Sequence, residues 1–181
     1  ELDLRPVARL TGKDGSTTQT GLVVVRADDP AKRIEDLKDY RLIFGPASAD
    51  EKHAAVIQLL KQHGVRIPRR LETSQACSDG ACRILEWGDE VRAAAVISSY
   101  AKPLLEGCGT IDKGDLRVIA ETSPVPFVTA FVNTQISSDL QAKLQHTILD
   151  SSNQNRLHGA LETLLGFVAI AEDASVAEKK K

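Results

Sequence analysis

The sequence predicts an α/β protein with a mostly parallel sheet and helices on both faces. Three observations predict it. Strand-type and helix-type patterns alternate along most of the 181 residues, the arrangement that builds βαβ units. Some strand-type runs, such as Arg92 to Ile97 (RAAAVI), are almost continuously apolar, as suits strands covered on both faces. The composition, 42% hydrophobic and 27% charged, is that of a globular chain with a real core.

Taken in order, Leu4 to Leu10 alternates with period two and reads as a strand, followed by the turn signal Lys13-Asp14-Gly15. Thr17 to Arg26 (TTQTGLVVVR) is a β-branched run, hence a strand buried toward its C-terminal end, and Asp28-Asp29-Pro30 breaks it. Ile34 to Leu37 is a short helix or turn. Tyr40 to Gly45 is a strand ending in Gly-Pro. A helix is expected to open at Ser48-Ala49-Asp50-Glu51, with Ala54, Ala55, Ile57, Leu59 and Leu60 as its apolar stripe and His63-Gly64 as its stop. Ser48 and Glu51 fit a capping box, in which the hydroxyl accepts from an N–H three residues on and the Glu reaches back. Leu71 to Ser74 is a candidate strand, Ser78 to Trp87 a helix stopped by Gly88, and Ala101 to Glu106 a helix interrupted by Pro103. Leu116 to Glu121 is another buried strand. Pro124 and Pro126 precede a strand from Phe127 to Asn133. Ser137 or Ser138 caps a helix carrying Leu140, Leu144 and Ile148. A last helix runs from Asn153 to Leu165, ended by Gly166, and Lys179 to Lys181 form a solvated tail.

A net charge of −2 and a pI near 6.1 leave no basic footprint for nucleic acid. No apolar stretch approaches the roughly 18 residues of a membrane span, so direct membrane insertion is not expected. The chain starts at Glu1, contains no Met and shows no cleavable leader, so it is expected to be a processed product or a piece of a longer chain. The three cysteines, Cys77, Cys82 and Cys108, allow one bridge plus a free thiol, or three buried thiols. Cys77-x4-Cys82 is not a redox CxxC, and the four histidines have no metal spacing. No GxSxG, HExxH, Walker or GxGxxG pattern occurs. Neither an enzyme nor a cofactor or metal is therefore expected.

In open sheets of this kind ligands sit at the carboxyl ends of strands. That rule selects Gly45 to His53, Thr73 to Gly80 and Ser98 to Tyr100. At the first, the unpaired N–H groups of a helix start and the Ser48 hydroxyl would suit an anion, although Asp50 and Glu51 complement the same dipole. On local evidence alone, a well-capped helix without a ligand is the simpler reading of these residues. At the third, Ser98 and Ser99 cap the next helix or bind a ligand, and Tyr100 offers a flat face with a polar tip. In Gln75 to Gly80, Ser78 or Asp79 serves as a cap.

Two long segments resemble the phosphate/phosphonate substrate-binding proteins of ABC transporters, with the type 2 periplasmic-binding fold. They are TGLVVVRADDPAKRIEDLKDYRLIFGPAS and VRAAAVISSYAKPLLEGCGTIDKGDLRVIAETSPVPFVTAFVN. The resemblance implies a two-lobed clamp that closes on its ligand about a hinge. It places residues 1–26 in one lobe and the first crossing, 27–122 in the other lobe, and 123–181 in the return crossing and the rest of the first lobe. Gly21 to Arg26 and Ser123 to Val128 would be the crossings. The family's N-terminal β-α-β portion has no counterpart here, so one lobe is expected to be incomplete. By position, Ser48 matches the family's anion-binding Ser, with Ala49 where a second hydroxyl stands, followed by Asp50. His53 lies near a contact position of some members. Ser98, Ser99 and Tyr100 match a strand end where many members carry Asp, Ser and Tyr. The implied ligand is a small polar or anionic solute, the implied partner an ABC permease, and the implied location periplasmic. The same fold used without transport, as a sensory or interaction domain of a larger protein, is the alternative.

Overall fold

The computed structural model describes residues 3–150, 155–161 and 163–170. The chain forms two compact units. One is Gln19–Val125; the other holds the described residues up to Thr18 and from Pro126 onward. The chain thus passes between units at Thr18/Gln19 and again at Val125/Pro126.

In the first unit, β3 (Gly21–Arg26), β4 (Arg41–Phe44), β5 (Glu72–Thr73), β6 (Ala93–Ser98) and β7 (Leu116–Glu121) form one sheet in the order β5-β4-β6-β3-β7. β4 is parallel to β5 and β6, and β3 is antiparallel to β6 and β7. Four strands therefore point one way and β3 opposes them. Gly21–Arg26, expected as a crossing, lies wholly within this unit, between β6 and β7 in its sheet. The expected Thr17–Arg26 strand breaks at Thr20 into β2 (Thr18–Gln19), which pairs with β8 (Val125–Pro126), and β3.

The apolar runs cover both faces. On one face Val23, Val25, Leu42, Phe44, Ala94 and Val96 pack with Val56 and Leu60 of α1 (Ala54–Gln62) and with Ile34 and Leu37 of a short 3-10 helix. On the other, Leu22, Val24, Ile43, Ala93, Ala95 and Ile97 meet Ala81 and Ile84 of α2 (Cys77–Glu86) and Leu105 of α3 (Ala101–Gly107). Neighbouring residues of one strand face opposite layers, so every position of β6 must be apolar or small.

In the second unit, β1 (Leu4–Leu10) pairs antiparallel with β9 (Thr129–Asn133) and with β10 (Phe167–Ala169). α4 (Ser138–Asp150) lies against it, with Gln145 Nε2 donating to the Val7 carbonyl at 3.0 Å. The last helix, α5 (Asn155–Ala160), stops earlier than Leu165. The Thr11 and Thr163 hydroxyls meet at 2.8 Å, and Thr11 also accepts from Leu165 N at 3.1 Å. This buried knot fixes the turn into β10, which the sequence does not announce. The expected start of that helix at Asn153 and the Lys179–Lys181 tail lie outside the described residues.

Candidate functional site

The connections of the five-stranded sheet fix where a ligand would sit. β4 leads through α1 to β5 on one side, whereas β6 leads through α3 to β7 on the other. α1 and α3 lie on opposite faces. The carboxyl ends of the adjacent strands β4 and β6 therefore flank the topological switch point, where open sheets leave a crevice.

The segment after β4 does not start a helix at Ser48. β4 ends at Phe44, and Gly45 N donates back to the Lys52 carbonyl at 3.0 Å. The intervening chain makes a turn and a 3-10 helix, Asp50–Lys52, and α1 begins only at Ala54. The capping box is absent: Ser48 is an exposed turn residue, and Glu51 does not reach back to it. The reason is packing. A Cβ on Gly21 would stand 2.0 Å from the Glu51 carbonyl oxygen, and one on Gly45 would stand 2.4 Å from Lys52 Cβ. Two glycines let the 3-10 turn press onto the ends of β3 and β4, which rotates Glu51 and Lys52 inward.

The result is a buried polar chain. Lys52 Nζ donates to Cys77 Sγ at 3.5 Å, Cys77 Sγ donates to Ser98 Oγ at 3.8 Å, and Ser98 Oγ donates to Glu51 Oε1 at 2.7 Å. Ser98 N also donates to Cys77 Sγ at 3.4 Å. Glu51 is 4% exposed, Lys52 8% and Ser98 0%. The three strand-end segments selected from the sequence thus converge, but through partly different side chains. Glu51, Lys52 and Cys77 are the members that sequence reasoning missed as site residues.

The other expected residues divide clearly. Asp50 is exposed and Ala49 half-buried. His53 Nδ1 meets the Gly45 carbonyl at 2.9 Å, and since a carbonyl only accepts, Nδ1 carries the proton. Its ring lies 6.0 Å from that of Phe44. Ser99 Oγ accepts from Thr20 N at 3.2 Å, tying the start of β3 to the end of β6. Neither Ser98 nor Ser99 caps α3; Tyr100 is its N-cap, without a side-chain cap bond. Tyr100 is 43% exposed, yet its phenol is held above the ordinary range by burial and by nearby Cys77, with Lys52 and a hydrogen bond to Ser98 opposing. The phenol end thus stands at the buried chain. At the start of α2, Asp79 Oδ2 accepts from Ala76 N at 3.3 Å, so the helix opens before Ser78. All three cysteines are free thiols, and none is fully buried. Among the described residues, no cluster of three or more His, Cys, Asp or Glu could hold a metal ion, and no helix is long and apolar enough to cross a membrane.

The model of one protein family, the periplasmic substrate-binding protein of phosphonate ABC transporters, matches residues 1–175. The chain belongs to that family. Solved structures agree on the fold. A Xanthomonas citri protein bound to ATP superposes with a TM-score of 0.71 at 17% identity, over 93% of this chain and 66% of its own. A phosphonate-transporter binding protein of Pseudomonas aeruginosa gives 0.72 at 16% identity, over 94% and 59%. PhnD1 of Prochlorococcus marinus in complex with methylphosphonate gives 0.70 at 12% identity, over 97% and 70%. The fold is thus the type 2 periplasmic-binding fold that the sequence resemblance implied. The chain spans about two thirds or less of the first two of these structures. No curated protein sequence matches it.

Proposed function

We propose that this phosphonate-family chain is an extracytoplasmic solute-binding domain for a small oxyanion of the phosphate or phosphonate class, and that it closes on its ligand and delivers it to an ABC permease. The observation that carries this reading is the convergence of three polar strand-end segments at the switch point between β4 and β6. Among the described residues the amides of Ala47 and Ser48 make no backbone hydrogen bond. With the Ser48 hydroxyl they supply donors for an oxyanion from the β4 side, on the turn that continues through Ala49 and Asp50. Tyr100 supplies a hydroxyl from the β6 side. Ser98, Ser99 and His53 act from behind by holding the strand ends and the 3-10 turn in register. Two passages of the chain between the units suit a hinge.

A ligand that binds only the native state raises apparent stability by about 2.7 kcal/mol at a hundredfold excess over Kd. For a chain of this size that is a rise in Tm of roughly 5–10 °C. Methylphosphonate, inorganic phosphate or a small sulfonate is expected to produce it, with a smaller radius of gyration at saturation by X-ray scattering. No shift with any of the three would remove the oxyanion reading; a shift without compaction would remove closure alone.

A further inference from the structure

Resting on that reading and going beyond it, we propose that Lys52 is the residue that takes the ligand's negative charge. Lys52 is held at the carboxyl end of β4, where Gly45 N donates to its carbonyl at 3.0 Å, beside the switch point at which open sheets take their ligands. Its stem is fixed, because its Cβ, Cδ and Cε fill the space a side chain at Gly45 would need. Its ammonium has three protons, and among the described residues its one hydrogen-bond acceptor is the Cys77 sulfur. A thiol sulfur is a weak acceptor, and an ammonium removed from water needs anionic or strong polar partners. The negative end of the buried chain is differently placed. Glu51 Oε1 already accepts a short bond from the fully buried Ser98 hydroxyl at 2.7 Å. Among the described residues the carboxylate thus has a short hydroxyl hydrogen bond, whereas the ammonium has one long contact to a weak acceptor. An oxyanion with two or more terminal oxygens, such as a phosphonate, phosphate or sulfonate group, supplies what the ammonium lacks. Cys77, which bonds directly to Lys52, is then a built-in reporter of the charge at the site.

Two measurements test this. Calorimetric titration with methylphosphonate compares the wild type, Lys52→Met and Cys77→Ser. Lys52→Met is expected to weaken binding about thirtyfold or more, the scale of removing one partner from a desolvated charge pair, and Cys77→Ser only severalfold. Wild-type binding with an unchanged Lys52→Met affinity overturns the proposal while leaving the oxyanion reading intact. The second measurement needs no natural ligand. With Cys82→Ser and Cys108→Ser in place, Cys77 is labelled by methanethiosulfonates bearing a sulfonate or a trimethylammonium group. The anionic reagent is expected to react faster, with the preference shrinking in high salt and vanishing in Lys52→Met. Equal rates, a preference for the cation, or no reaction in the folded protein overturns the proposal. If methylphosphonate fails to bind the wild type, the functional reading falls, and this labelling result still decides the role of Lys52. If Lys52→Met does not fold, the rate ratio and its salt dependence in the Lys52-containing protein decide alone.

Discussion

Tyr40 shows how much one side chain carries where the chain turns into β4. Its hydroxyl donates to Asp29 Oδ1 at 2.7 Å, and the same oxygen accepts from Ala31 N at 2.8 Å. Burial, with the Asp29 hydrogen bond second, pushes the phenol up to about 12 from an ordinary 10.0. In the window between those values the folded chain keeps a proton that the unfolded chain loses. Stability from this group is therefore complete below pH 10 and is lost as pH rises toward about 12. Tyr40→Phe is expected to cost about 2 kcal/mol in urea unfolding at pH 7, the usual scale for a hydrogen bond to a charged group. It should also flatten the decline of stability between pH 10 and 11.5; an identical decline in the variant would refute the assignment. Residues of this kind are only partly legible in a sequence. Ser48 stands out by its hydroxyl, but pattern reading assigns polar residues to the surface, so nothing marks Glu51 and Lys52 as buried. Cys77 could be read only as one of three thiols of open status.

At the scale of elements, the decisive piece is the 3-10 turn Asp50–Lys52 wedged against two strands. Its seat is made by what Gly21 and Gly45 lack. A methyl at Gly21 would meet backbone, at 2.9 Å from the Glu51 carbonyl carbon as well as against its oxygen, so no flexible side chain can move aside. Gly21→Ala is expected to destabilise the protein by about 2–3 kcal/mol, the scale of overpacking, and to weaken oxyanion binding by displacing Glu51 and Lys52. Gly64 makes the contrast. It has a φ of +65 and nothing within 4 Å of an added Cβ, so Gly64→Ala should cost about 1–2 kcal/mol and leave binding unchanged. Thermal melts and titrations of the two variants separate these outcomes. Equal effects on binding would refute the seat. The signal existed in the sequence, since an isolated glycine at a strand end can mark close backbone approach. Ser48 and Glu51 offered a local capping box that the long-range packing overrode. Most strands and helices were legible because their partners are generic: Leu116–Glu121 is found at its expected bounds. The reversed direction of β3 and the pairing of β10 were not, because period-two alternation carries no information about which neighbour a strand chooses.

At the scale of the whole molecule, the two units hold their cores unequally. Both large apolar clusters lie within Gln19–Val125, one on each face of the five-stranded sheet. The other unit buries Val7, Ala8, Leu10 and Val132, while Leu4, Val128, Phe131, Leu140, Leu144, Leu161, Leu164 and Leu165 are exposed. Phe131, in the middle of β9, is 54% exposed. Burial of apolar area is the main term favouring folding, so the two units should not share stability equally. Gln19–Val125 is also one continuous stretch of chain, of ordinary domain size, whose cross-strand bonds close within it. Expressed alone, residues 19–125 are expected to fold, with a native-like far-ultraviolet spectrum and a single cooperative urea transition. The fragment should also bind less of a hydrophobic dye such as ANS than the full chain does, because the exposed leucines and Phe131 lie outside it. A fragment that is unfolded, or that binds more dye than the full chain, would show that the five-stranded sheet depends on residues beyond its own two cores.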